Sequence, residues 1–116
     1  MKLEGVPILV VEDDPFIAMD IRQTLETAGA LVVGPAYNLA DALHVAEVAN
    51  LRAAVLDLRL ERGDTLPVAA RLSERGIPYV FQTSDPATAR RARPDAPVLA
   101  KPVAADALVL ALASLL

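Results

Sequence analysis

Apolar positions in this chain fall into short solid runs, separated by longer stretches in which they recur at helical spacing. Pro7–Val11 (PILVV) is too short for a helix and runs directly into three acids, so it is expected to be a buried strand. Asp14-Pro15 then supplies an N-cap followed by proline at the first helical position. Ile17, Ile21, Leu25 and Ala28 repeat along one helical stripe until Gly29 stops the helix. Leu31–Val33 reads as a second strand ended by Gly34-Pro35, residues 39–49 as a second helix, and Ala53–Leu56 as a third strand running into Asp57. A polar loop containing Gly63 leads to a helix over 66–75 closed by Gly76, and Pro78–Phe81 is expected to be the fourth strand. Asp85-Pro86 repeats the cap-and-proline signal, but Pro94 and Pro97 confine that helix to about two turns. Val98–Ala100 is a short fifth strand, and 103–116 an Ala/Leu-rich final helix. Five strands alternating with five helices imply an α/β domain, in which right-handed crossovers build a parallel sheet covered on both faces.

Composition narrows the chemistry. The 116 residues suffice for one domain, and 54% hydrophobic with 22% charged residues is the balance of a folded globule. With no cysteine, thiolate metal sites, disulfides and Cys nucleophiles are excluded, and the lone His44 leaves no basis for a His-rich metal site. A net charge of −4 argues against nucleic acid as the main partner. The apolar run 107–116 falls far short of the ~20 residues that span a membrane, and Glu4, Glu12, Asp13 and Asp14 interrupt any signal-peptide pattern. The expectation is a cytoplasmic domain that binds neither membrane nor nucleic acid.

In open α/β sheets, ligands bind beyond the carboxyl ends of the strands. Glu12, Asp13 and Asp14 follow the first strand, Asp57 the third, Thr83 and Ser84 the fourth, and Lys101 the fifth. Each has an ordinary structural account: acids favour helix N-termini, Thr-Ser pairs stabilise loops, and Lys-Pro is a turn dipeptide. Together they bring carboxylates, hydroxyls and an ammonium toward one rim. Crowded carboxylates call for a compensating cation, and Mg²⁺ suits hard oxygen donors. A carboxylate beside Mg²⁺ and lysine is set up to attack phosphorus, which points to an aspartyl phosphate.

On these residues the chain resembles the receiver domains of bacterial response regulators. ILVVEDDP is similar to that family's acidic-pair segment, AAVLDL to its phosphoacceptor strand, YVFQTS to its Thr/Ser strand and LAKP to its Lys-Pro. The resemblance implies a flavodoxin-like (βα)5 three-layer sandwich with strand order 2-1-3-4-5. It further implies Asp57 as phosphoacceptor and Mg²⁺ held by Glu12, Asp13, Asp57 and the backbone carbonyl of Arg59. Thr83, Ser84 and Lys101 would stand around the phosphoryl group, with a cis peptide before Pro102. It extends over 1–116, so the expectation is a receiver with no output domain. GIPYVFQTS with a short fourth helix is similar to stand-alone receivers associated with HWE-type histidine kinases. The chain departs from many receivers in carrying Val98 where an aromatic is common, and LRLERGDT after Asp57, which sets Arg59, Glu61 and Arg62 around the site.

Two apolar surfaces remain. Phe16 and Met19 lie off the core stripe beside the acidic site and, with Ile17, are a candidate dock for a kinase or phosphotransfer helix. In the last helix Leu108, Leu112 and Leu115 can cover the sheet, which leaves Val109, Leu110 and Leu116 for neighbouring helices, a homodimer or another partner. Two further readings stay open: an unphosphorylated interaction module with the same fold, and a small Mg²⁺-dependent phosphohydrolase. The latter commonly needs an acid two residues after its nucleophile, where this chain has Arg59.

Overall fold

The apolar runs form the strands and the periodic stretches the helices, as the computed structural model of all 116 residues describes them. In chain order these are β1 (Pro7–Val11), α1 (Pro15–Thr27), β2 (Leu31–Ala36), α2 (Leu39–Val48), β3 (Ala53–Leu56), α3 (Leu66–Glu74), β4 (Tyr79–Thr83), α4 (Pro86–Ala92), β5 (Val98–Ala100) and α5 (Ala105–Ala113). All strand pairs are parallel, in the order β2-β1-β3-β4-β5. The order reverses between β1 and β3, which opens a crevice at their carboxyl ends.

Strand periodicity divides the core into two layers. Leu9, Val11, Leu56 and Phe81 face α2, α3 and α4, packing with Ala42, Ala46, Val68, Leu72 and Ala89. Ile8, Val10, Val55 and Val80 face α1 and α5, packing with Ile21, Leu25, Leu108 and Leu112. Because β1, β3 and β4 are covered on both sides, β1 and β3 read as unbroken apolar runs and β4 as one up to Phe81.

Several boundaries differ from the expectations. β2 does not stop at Val33 but continues to Ala36. Gly34 takes φ +98°, the β1–β2 register shifts between Leu9 and Val11, and pairing resumes at Val11 with Ala36. A proline without an N–H is tolerated in such an irregular edge. β4 starts at Tyr79, since Pro78 has no N–H to give, and runs on through Thr83. The stripe of α1 is Ala18, Ile21 and Leu25, while Ile17 and Ala28 are only half-buried. The final helix is limited to Ala105–Ala113, and α2 and α3 each end one residue early. Lys101–Pro102 is cis as expected, and Gly34–Pro35 is cis as well. No helix is long and apolar enough to cross a membrane.

Candidate functional site

Four strand ends converge on the crevice, and backbone hydrogen bonds fix three of them. The Glu12 N–H donates to the Ala36 carbonyl at 3.1 Å, so the rejoined end of β2 anchors the residue after β1. The Asp57 N–H donates to Val11 at 2.9 Å, carrying the β1–β3 ladder one step past β3. Lys101 is held likewise, by its N–H on the Thr83 carbonyl at 2.9 Å. The wholly buried Thr65, one residue before α3, donates its hydroxyl to the Asp57 carbonyl at 2.7 Å.

These anchors bring Glu12, Asp13 and Asp57 together, each with a carboxylate oxygen within 4.8 Å of the others. Glu12 and Asp57 are buried, and Asp13 is half-buried. Lys101 Nζ lies 2.8 Å from Glu12 Oε1 and 3.2 Å from Asp57 Oδ2. One ammonium thus contacts two of the three clustered carboxylates. Burial, reinforced by Asp57, pushes the Glu12 carboxyl up to about 7 against the opposing bond from Lys101. Burial alone would depress Lys101, but the Glu12 and Asp57 carboxylates outweigh it and hold the ammonium above its ordinary value. Both directions express the same shortage of positive charge. A divalent cation would remedy it, and a set of carboxylate oxygens suits a hard ion such as Mg²⁺. Asp13 is already oriented, since its Oδ2 accepts from the Glu61 N–H at 2.6 Å.

The remaining sequence candidates are placed unevenly. Thr83 is buried, and its Oγ1 accepts from the Asp85 N–H at 3.0 Å. Ser84 is exposed and makes no side-chain hydrogen bond. The Arg59 guanidinium bonds Asp85, at 2.7 Å, rather than any of the three clustered carboxylates. Phe16 and Met19 are exposed on α1, with Ile17 half-buried beside them. Ile17 lines a cavity of about 570 Å³ between α1 and α5, together with Gln82, Lys101, Pro102 and Leu108. Thr65 and Asp85 were not among the sequence candidates, and Glu61 was read only as a charge at the rim, not as the backbone donor to Asp13. The only trace of Thr65 was a hydroxyl residue just before the helical pattern of α3, and Asp85 registered solely as a helix cap.

Comparison with known proteins agrees with this fold. Residues 8–113 match the response regulator receiver domain. The chain is 42% identical to SdrG from Sphingomonas melonis Fr1, whose solution structure superposes with a TM-score of 0.82 over 99% of this chain and 98% of that one. A response regulator receiver protein from Sinorhizobium medicae WSM419 superposes with a TM-score of 0.87 at 28% identity, covering 97% and 94% of the two chains. The transcriptional regulatory protein PdtaR of Mycobacterium tuberculosis is 30% identical over 78 residues, 66% of this chain and 38% of that protein. The chain spans about a third of the length of the curated relatives it matches.

Proposed function

The chain belongs to the response regulator receiver domain family, and from that premise we propose that it is a Mg²⁺-assisted phosphoacceptor carrying its phosphoryl group on Asp57. The observation that carries this reading is the position of Lys101 Nζ, shared between Glu12 and Asp57 at a rim where three carboxylates already meet. That arrangement suits an anion that gains further charge when it is phosphorylated.

A receiver domain implies a histidine kinase or phosphotransfer partner. In the transfer an Asp57 carboxylate oxygen attacks phosphorus, a P–O bond forms, and the P–N bond to the partner's imidazole breaks. The imidazole nitrogen leaves with the electron pair and takes a proton from solvent. Lys101 is placed to exchange a carboxylate for a phosphoryl oxygen. Thr83 Oγ1 accepts from Asp85 and keeps its own proton to donate to that group, with Ser84 beside it at the surface. Glu12, Asp13, Asp57 and the Arg59 carbonyl would hold Mg²⁺, which neutralises charge on the phosphoryl oxygens. Attack of water on the same phosphorus returns phosphate and the free carboxylate, a self-dephosphorylation expected to be slow.

Phe16, Ile17 and Met19 are the proposed contact for the kinase helix, with an HWE-type kinase as donor and a cytoplasmic setting. Leu110 and Leu116, about half exposed on and just after α5, are the proposed surface for a homodimer. Incubation with acetyl phosphate and Mg²⁺ is expected to add one phosphoryl group by intact mass, acid-stable and base-labile. The gain should be absent without Mg²⁺ and in Asp57→Asn; an unchanged gain in Asp57→Asn rejects the assignment.

A further inference from the structure

The Arg59 side chain has no part in the phosphoacceptor site as described, yet it ties together two of the loops that carry that site. Its Nη2 bonds Asp85 Oδ2 at 2.7 Å. Arg59 stands two residues after Asp57 and Asp85 two residues after Thr83, so the pair links the loops leaving β3 and β4. Both ends are fixed from within. Thr65 holds the Asp57 carbonyl, and Arg59 pairs through its backbone with Asp64. The Asp85 N–H donates to Thr83 Oγ1, and its Oδ1 caps α4 by accepting from the Thr88 N–H.

Nothing in the packing requires this ion pair. The two side chains are 62% and 35% exposed, a setting in which ion pairs add little to stability. A guanidinium resting on one exposed carboxylate is available to a stronger anion. A phosphoryl group offers three acceptor oxygens and more charge than a carboxylate, and the planar donor fork of arginine matches it.

We propose that Arg59 is a phosphoryl-binding residue held in reserve by Asp85, whose carboxylate occupies the guanidinium until a phosphoryl group reaches Asp57. The proposal deepens the Asp57 reading and rests on it. Asp85 acts as an internal competitor: an anionic donor must displace it, and the phosphoryl group then gains a cation that resists its loss. The exchange leaves the Thr88 cap of α4 in place.

Substitution Asp85→Asn separates the two roles of that residue, since asparagine still caps a helix but no longer competes as an anion. With acetyl phosphate and Mg²⁺, Asp85→Asn is expected to reach half-maximal labelling at about two- to fivefold lower donor concentration, the scale of one exposed ion pair. Arg59→Ala, which keeps the backbone carbonyl, should need more donor than the native protein and lose the phosphoryl group several-fold faster, roughly the scale of one such pair. The double variant should behave as Arg59→Ala, because Asp85 acts only through Arg59. Labelling of Asp85→Asn that matches the native protein, or effects that simply add in the double variant, would overturn the proposal. If the native protein is not labelled, or Asp57→Asn still is, the Asp57 reading fails and this one falls with it. If Asp57→Asn is silent and Asp85→Asn is unchanged, only the reserve role of Arg59 fails.

Discussion

Glu12 shows how one residue couples the fold to its ligand. It is buried beside a second carboxylate with only Lys101 to offset them, so it keeps a proton up to about 7. A carboxyl raised above its unfolded value favours the folded state at low pH. That contribution is complete below the ordinary 4.5 and is lost as pH rises through about 7. The thermal midpoint of the metal-free protein is therefore expected to fall across this window more steeply than that of Glu12→Gln, with Mg²⁺ restoring it at the upper end. Mg²⁺ affinity should in turn weaken as pH drops below 7, because the ion and the proton compete for one carboxylate. Parallel pH profiles of the two metal-free proteins would contradict this. The members of this cluster were legible in the sequence, because each falls within two residues of the end of an apolar run. The contacts that tune them were not: Asp13 with the Glu61 N–H and Arg59 with Asp85 join residues 48 and 26 positions apart. Local spacing carries no trace of such pairs.

At the scale of elements, the strand misjudged most is β2, where proline and glycine act against their usual meaning. Gly34-Pro35 reads as the end of β2, yet the left-handed Gly34 lets the chain step over the proline and rejoin β1 at Ala36. That rejoined end anchors Glu12. A Cβ at position 34 would stand 2.8 Å from the Ala36 nitrogen and 3.2 Å from the Val10 carbonyl oxygen, at a φ that disfavours any side chain. Gly34→Ala is expected to destabilise the domain by about 1–3 kcal/mol in urea unfolding. It should also lower Mg²⁺ affinity, since the displaced backbone is the one that holds Glu12; a loss of stability with unchanged affinity would separate β2 from the site. Asp14-Pro15 kept its ordinary meaning: Asp14 Oδ1 accepts from the Phe16 N–H at 2.9 Å, and α1 starts where the sequence placed it. For α1 the stripe was read correctly at Ile21 and Leu25, with Ile17 and Ala28 at its half-buried edges, but one member was missed. Ala18, too small to stand out among the isoleucines, is the fully buried residue nearest the site end of the helix.

At the scale of the whole molecule, the doubly covered sheet does two things. It buries β1, β3 and β4 so completely that their ends become fixed points, and it leaves α5 with more apolar surface than the sheet can cover. Leu108 and Leu112 are buried, while Leu110 and Leu116 are exposed. A homodimer through this face predicts concentration-dependent association in sedimentation equilibrium, abolished by Leu110→Glu. A monomer at every concentration, phosphorylated or not, would reject the dimer. The central claim concerns one atom of the sheet's rim, a carboxylate oxygen of Asp57, and is best tested there. Reductive trapping of the labelled protein with borohydride converts an aspartyl phosphate to homoserine, and peptide mass mapping then reads its position. The account predicts homoserine at 57 and nowhere else, dependent on both Mg²⁺ and the phosphodonor. Homoserine at 13 or at any other acid, or none in a protein that has gained a phosphoryl group, would contradict it.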